Sequence, residues 1–278
     1  MTANTLPTEI LLRIFTRLDE KDIFSVIQVC RRWMDVGKLE YYKEITIKYN
    51  GESGLYASKP ARAAENTHLV KVLNLVICQG DPTEFSSEET PNIIKLVQPF
   101  TAVKSFNYTD EGAEVTWNGF WKILHFAVLS MSLLESIYIN RSVTTEVSAG
   151  SPPDELVGIE IDPSHRRQCP RNLKKVKASL LYLLGSQVDV IEPFLKHMLE
   201  ILGDGAEDLI SEVDVTRSSM RLNKYNLPHT WKLRNLEKLI FHDTYNYLLT
   251  YEISADFPKL KWLSILVRGW ALLCNEVC

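Results

Sequence analysis

One spacing of apolar residues recurs from residue 42 to residue 265, and it constrains the fold more than any other feature of the chain. In this spacing, apolar-x-x-apolar-x-apolar, the last two positions point to the same side of a strand, because side chains alternate along β-structure. It occurs eight times, with middle residues 24 to 39 residues apart. The pattern predicts eight short strands, with middle residues Ile45, Leu73, Phe106, Ile137, Val176, Val213, Leu239 and Leu263.

Helical patterns lie between some of these strands. Residues 120–131 are apolar almost throughout, and residues 191–202 repeat apolar side chains at three and four residues. An alternation of strand and helix is what a solenoid needs, because each unit buries its apolar face against its neighbours. A compact α/β domain is the alternative.

The spacing resembles a degenerate leucine-rich repeat. In that template Asn or Cys stands three residues after the last apolar position, and in this chain only Asn50 and Cys78 match it. Several intervals also exceed the ~20–29 residues of standard repeats. We therefore expect an irregular leucine-rich-repeat-like βα array, an α/β solenoid, over residues 46–278. The apolar tail after residue 268 is not the polar cap that a solenoid needs, so we expect a shortened chain or a gene-model fragment.

In the first 45 residues the apolar side chains recur at helical spacing, which predicts three short helices. Residues 6–18 read LPTEILLRIFTRL, and their apolar side chains fall within roughly 140° of a helical wheel. A second helix is predicted from Ile23 to about Cys30, with Asp22 as its N-cap, and its apolar positions cover roughly 220°. Because three short helices enclose a very small core, the surplus apolar surface must be covered by the rest of the chain or by a partner.

An ordered set of residues in this segment resembles an F-box. The set is Leu6, Pro7, Glu9, Ile10, Leu11, Ile14, Phe15, Leu18, Asp22, Ile23, Val26, Val29, Cys30, Arg31 and Trp33. One departure is Ile23, where the family usually has leucine. The resemblance implies a three-helix module, assigned to residues 1–45, that docks on a Skp-family adaptor of SCF-type ubiquitin ligases.

Carried over position by position, the resemblance implies an adaptor-binding surface and a second set that is either core or contact. The adaptor-binding set is Leu6, Pro7, Ile10, Leu11, Ile14, Leu18, Ile23 and Val26. The core-or-contact set is Phe15, Cys30 and Trp33.

The resemblance also implies a role. An F-box followed by a degenerate leucine-rich region is typical of substrate-recruiting subunits, particularly in divergent fungal-type chains. The helices would reach a cullin through the adaptor, and the repeats would hold a target protein whose identity the sequence does not reveal. The alternative is an adaptor-bound scaffold with no role in ubiquitylation.

Composition and charge favour an intracellular protein. A net charge of −4 gives no chain-wide reason to expect nucleic acid or an anionic membrane as a partner. No apolar run approaches the ~18 residues of a membrane span, and no secretory signal opens the chain. Five scattered cysteines indicate reduced thiols, so we expect a cytoplasmic or nuclear location.

Local charge and metal-ligand patterns favour no chemistry. A basic run at residues 165–167, continued by Arg171, Lys174 and Lys175, is interpreted as a solvated face, with binding of an acidic partner or nuclear import as the alternatives. The histidines are isolated, and none of the common nucleophile, phosphate-binding or metal-ligand motifs is present. We therefore expect a non-enzyme, with no catalytic residue, cofactor or metal.

Overall fold

Three helices lead into a sheet of ten strands in the computed structural model. The structure describes residues 6–50, 54–57, 64–78, 89–111, 117–143, 170–182, 191–217, 234–243, 258–267 and 270–274. The N-terminal helices are α1 (Thr8–Phe15), α2 (Glu20–Val26) and α3 (Arg31–Tyr41). Across the part of the chain described, every helix is too short or too polar to traverse a membrane.

The remaining described elements are strands, with α-helices between some of them. The helices are α4 (Glu89–Val97), α5 (Trp117–Ser130) and α6 (Ile191–Leu202). The strands are β1 (Glu44–Asn50), β2 (Gly54–Ala57), β3 (Val72–Cys78), β4 (Ser105–Glu111), β5 (Ser136–Val143), β6 (Lys175–Tyr182), β7 (Ile210–Arg217), β8 (Lys238–Asp243), β9 (Trp262–Val267) and β10 (Trp270–Cys274). All eight predicted strands are confirmed, and β2 and β10 are additions that the spacing did not predict.

The strands lie in the sheet almost in the order of the sequence. The order is β10-β9-β8-β7-β6-β5-β4-β3-β1-β2. The eight predicted strands are parallel to one another, and β2 and β10 are antiparallel strands at the two ends. This topology confirms a parallel sheet with alternating strands and helices, whereas its assignment as a leucine-rich-repeat-like solenoid stays a prediction.

One face of the sheet forms the core together with the helices. The middle residues of the first five predicted strands are direct neighbours in the ladder, and each is at most 1% exposed. Large side chains from α4, α5 and α6 pack against this row; examples are Ile93, Trp121 and Phe194, all fully buried. The predicted helices at residues 120–131 and 191–202 thus cover the sheet.

The regular register stops between β6 and β7. Val176 pairs with Ile210, but its successor Lys177 pairs with Glu212, so Ser211 is an extra residue on β7. Val213 consequently lies beside Ala178, two residues beyond the row that the spacing predicted. A bulge of this kind shifts every later strand relative to the earlier ones.

A buried ion pair interrupts the apolar core near the ends of β4 and β5. Asp110 and Arg141 are register partners, with Arg141 Nε 4.0 Å from Asp110 Oδ2, and both side chains are almost fully buried. The guanidinium also lies 4.9 Å from the centre of the Phe120 ring. Burial, and secondarily the Asp110 carboxylate, raises the pKa of the neighbouring Tyr108, which therefore stays a neutral phenol.

Candidate functional site

The first helix begins directly after a proline. Pro7 occupies the N-cap position, and its carbonyl oxygen accepts hydrogen bonds from the backbone N–H groups of Ile10 and Leu11, both at 3.1 Å. A proline suits this place because it has no N–H group to leave unpaired. Glu9 lies in the first turn, where a negative charge complements the helix dipole.

The second helix begins earlier than the sequence predicted. Asp19, and not Asp22, is the N-cap, and its carboxylate accepts a hydrogen bond at 2.8 Å from the backbone N–H of Asp22. Both aspartates precede apolar residues at helical spacing, so the pattern alone did not separate them. The helix runs over Glu20–Val26 and ends before Cys30, which is instead the N-cap residue of α3.

A small apolar cluster joins the three helices. Leu11 and Phe15 of α1 are each 1% exposed and pack with Val36 of α3. Trp33 meets the Phe15 ring edge to face, with ring centres 5.8 Å apart. The Arg32 guanidinium donates a hydrogen bond to the carbonyl oxygen of Leu6, which ties the segment before α1 to α3.

Close approach between the second and third helices depends on a glycine. A Cβ atom added to Gly37 would lie 2.4 Å from Ile27 Cγ2, a distance that real side chains do not tolerate. Gly37 therefore lets α3 pack directly against Ile27 at the end of α2. This close packing sets how the apolar side chains of the two helices are presented.

Five large apolar side chains of this helical module remain exposed. We call these five residues the exposed apolar set; they are Ile10 (40% exposed), Ile14 (43%), Phe24 (47%), Val29 (63%) and Leu39 (42%). Ile10 and Ile14 are one turn apart on the same face of α1. Contact between these apolar side chains and water is unfavourable, so a protein that covered them would gain binding free energy.

The structure divides the residues that the resemblance proposed for adaptor binding. Exposed members are Pro7, Ile10 and Ile14, and half-buried members are Leu6, Leu18 and Val26. Leu11 and Ile23 are buried inside the chain at 1% and 6% exposure, so we leave them out of the docking surface.

The core-or-contact set divides as well. Phe15 is core, whereas Cys30 and Trp33 are half-buried. Three exposed residues, Phe24, Val29 and Leu39, were absent from the predicted surface. The unusually wide apolar arc of the second helix was the signal that identifies Phe24 and Val29.

Aromatic rings connect the helical module to the sheet. Phe24 lies 5.8 Å from the Tyr41 ring, and Tyr41 lies 5.0 Å from Tyr42, which belongs to the buried core of the sheet. Partial burial, with smaller contributions from Glu20 and Tyr42, raises the pKa of Tyr41. A protonated, uncharged tyrosine is suited to this apolar junction.

The described residues hold no candidate metal site. No group of three histidine, cysteine or carboxylate side chains comes together in the described ranges. The clustered ionisable side chains form ion pairs, such as Lys104 with Glu135 at 2.6 Å. The feature that distinguishes the helical module is thus the exposed apolar set.

Comparison with known proteins gives one family match. Residues 3–47 match the family model described as F-box-like, which covers all three N-terminal helices and the start of β1. A search among curated proteins finds no match for the chain. Residues 3–47 therefore form an F-box-like domain.

Proposed function

We propose that this chain is the substrate-recruiting subunit of an SCF-type ubiquitin ligase. The observation that carries the proposal is the F-box-like domain at residues 3–47, with five large apolar side chains left exposed on it. F-box domains in general bind Skp-family adaptors, and through them a cullin. The helical module would thus bind the adaptor, and the rest of the chain would hold a target protein.

The energetics of the exposed apolar set fit this role. Full burial of one large aliphatic or aromatic side chain contributes about 1.5–3 kcal/mol, and these side chains are roughly half exposed in the free chain. Covering all five would therefore contribute several kcal/mol, of the same order as the ~4–15 kcal/mol that association costs. Additional contacts from Pro7, Leu6 and Leu18 would supply the surplus.

We also propose that the sheet region is an irregular leucine-rich-repeat-like solenoid that presents a surface to the target. Its support is the strand order, which follows the sequence, together with the 24- to 39-residue interval between equivalent apolar positions. In solenoids each repeat contacts its neighbours and leaves an extended face for binding.

The chain would contribute proximity and no chemistry of its own. F-box proteins generally act as non-catalytic adaptors. Holding a target beside an activated ubiquitin raises the effective concentration of its lysines, which accelerates transfer without a catalytic group on this chain.

Co-purification with a Skp-family adaptor tests the proposal. We expect the full chain to co-elute with the adaptor and the double variant Ile10→Ala/Ile14→Ala to lose most of the binding. The matched control is Leu129→Ala/Leu133→Ala, because these two leucines are exposed to nearly the same extent, 44% and 42%, but lie outside the F-box-like domain. Equal binding by both double variants would contradict the docking surface.

A reconstituted ligase then separates recruitment from scaffolding. With the adaptor, a cullin and a ubiquitin-conjugating enzyme present, we expect proteins bound to the sheet region to become ubiquitylated. Adaptor binding without any ubiquitylation of bound proteins would instead indicate a scaffold.

A further inference from the structure

One row of side chains crosses eight parallel strands on the face of the sheet opposite to the core. Register pairing places these residues side by side in the order Thr46, Asn74, Asn107, Tyr138, Lys177, Glu212, Lys238 and Trp262. On the first five of these strands the residues that precede the row are buried in the core, because side chains alternate along a strand; they are Ile45, Leu73, Phe106, Ile137 and Val176. We call this row the outer row.

In the first part of the outer row the polar side chains form hydrogen bonds with one another and with Glu44. Asn107 Nδ2 donates to Asn74 Oδ1 at 2.7 Å, and Asn74 Nδ2 donates to Glu44 at 2.8 Å and to Thr46 at 3.2 Å. A ladder of amides that is satisfied internally has little hydrogen-bonding capacity left for a ligand. This half of the row is better suited to holding strands together than to binding.

The second part of the outer row retains hydrogen-bond donors that could bind a ligand. Glu212 forms ion pairs with Lys177 and Lys238, the latter at 2.9 Å, and is shared between them. Each lysine ammonium has three donors and spends one on Glu212, so donors remain on both sides. Lys175 lies exposed on the same face of β6, two residues before Lys177. Lys175 thus adds a third lysine to the face that carries the Lys177–Glu212–Lys238 group, without itself pairing with Glu212.

Two exposed aromatic side chains bracket this charged group. Tyr138 (37% exposed) precedes Lys177 in the outer row, and Trp262 (38% exposed) follows Lys238. Large aromatic side chains at such positions are the usual anchors of protein interfaces. The excess of lysine is local, since the chain as a whole carries a net charge of −4.

We propose that the outer row from Tyr138 to Trp262 binds an extended acidic peptide segment of the target, with an apolar side chain at each end. The proposal rests on the target-recruiting role given above. The segment would run across the strands, place its two carboxylates against Lys175, Lys177 and Lys238, and cover the two aromatic rings.

The strand spacing sets the length of this segment. Strands lie about 4.8 Å apart, so Tyr138 and Trp262, four strands apart, are separated by about 19 Å. In an extended peptide alternate side chains face the same way about every 6.7 Å, so four of them span about 20 Å. The fitting pattern is apolar-x-acidic-x-acidic-x-apolar, seven residues long.

A synthetic heptapeptide tests the pattern directly. The probe is fluorescent acetyl-Leu-Ser-Glu-Ser-Glu-Ser-Leu-amide, titrated with the full chain bound to its adaptor and followed by fluorescence anisotropy. We expect saturable binding that weakens with added salt, because the lysines are solvent-accessible. No change at about 1 mM chain, near the weakest affinity of a specific contact, would overturn the proposal.

Two control peptides separate the pattern from general charge attraction. Replacing both glutamates with glutamine removes the charges, and Leu-Glu-Ser-Ser-Ser-Glu-Leu keeps the composition but turns both carboxylates to the other side of the extended chain. Both should bind at least about tenfold more weakly. Equal binding of the rearranged peptide would contradict the spacing.

Variants of the chain locate the binding surface. Lys175→Glu should weaken binding about tenfold without removing either partner of Glu212, and Trp262→Ala should do the same by deleting an anchor. The matched control is Lys95→Glu, an identical charge change at an exposed position of α4, which should alter binding by less than about twofold. Equal losses in Lys95→Glu and Lys175→Glu would overturn the assignment.

Adaptor binding, measured on the same samples, separates failure of the proposed peptide site from failure of the proposed recruiting function. If the chain binds the adaptor but not the peptide, the proposal that the outer row binds an acidic segment is wrong, and the proposed recruiting role is unaffected. If the adaptor does not bind the unaltered chain, the proposed function itself fails.

Discussion

The helical module and the sheet region differ in how far each buries its own apolar surface. The sheet and its helices share one continuous core of at least 35 described residues, whereas the buried cluster of the module contains Leu11, Phe15 and Val36. The module also carries five of the nine large apolar side chains that are exposed in the described ranges. The sheet region therefore covers most of its own large apolar side chains, whereas the module leaves a larger share of its own in water.

The largest expected effect comes from truncating a large side chain in the core of the sheet region. Trp121 is fully buried and lies 5.3 Å from the Phe194 ring, so Trp121→Ala should lower the free energy of unfolding by about 3–5 kcal/mol. Urea denaturation followed by circular dichroism measures it. The control Leu129→Ala, on the same helix but 44% exposed, should shift stability by less than about 0.5 kcal/mol. Similar shifts would mean that burial does not separate the two sites.

The next effect concerns the buried ion pair in the sheet. Arg141→Met leaves the buried Asp110 carboxylate without this partner and should cost about 3 kcal/mol or more. The double variant Asp110→Leu/Arg141→Met removes both charges and should recover most of the loss. Unfolding curves of the single and double variants give the coupling, and failure of the second change to restore stability would contradict the pairing.

A smaller effect is expected in the helical module. Gly37→Ala places a methyl group against Ile27 and should destabilise the packing of α2 on α3 by about 1–3 kcal/mol. The readout is adaptor affinity, since the sheet would remain folded. Ile27→Ala in the same chain should relieve part of the clash, and normal adaptor binding by Gly37→Ala alone would show that the close approach is dispensable.

The smallest effect is a dependence on pH at the residue that precedes β5, a central strand of the sheet. Hydrogen bonds from Lys104 and Lys174 lower the pKa of Glu135 from 4.5 to about 2. Because the folded-state pKa is depressed, this stabilisation is complete above about pH 4.5 and is lost as the pH falls toward 2.

Thermal unfolding between pH 5 and pH 2.5 detects this contribution. We expect the variant Lys104→Gln/Lys174→Gln to lose less stability over this range than the parent chain does. The effect is small because both lysines are solvent-exposed. An equal fall in both chains would assign the acid sensitivity to other carboxylates.

Features that depend on local spacing were predictable from the amino-acid sequence alone. Side-chain alternation around Ile45, Leu73 and Phe106 was sufficient to predict strands, because a strand with one buried face must repeat every two residues. The ordered apolar set in the first helices likewise resembles an F-box, and the match of residues 3–47 to the F-box-like family confirms it.

The surroundings of each side chain, in contrast, depend on how distant segments pack together. Leu11 and Ile10 are adjacent in sequence and equally apolar, yet one is 1% exposed and the other 40%, because packing against α3 selects one flank of the helix. The bulge at Ser211 and the alignment of Tyr138 with Lys177 and Trp262 across strands depend on register between distant segments. Spacing within a segment carries no information about register between segments, so neither was predictable from the sequence.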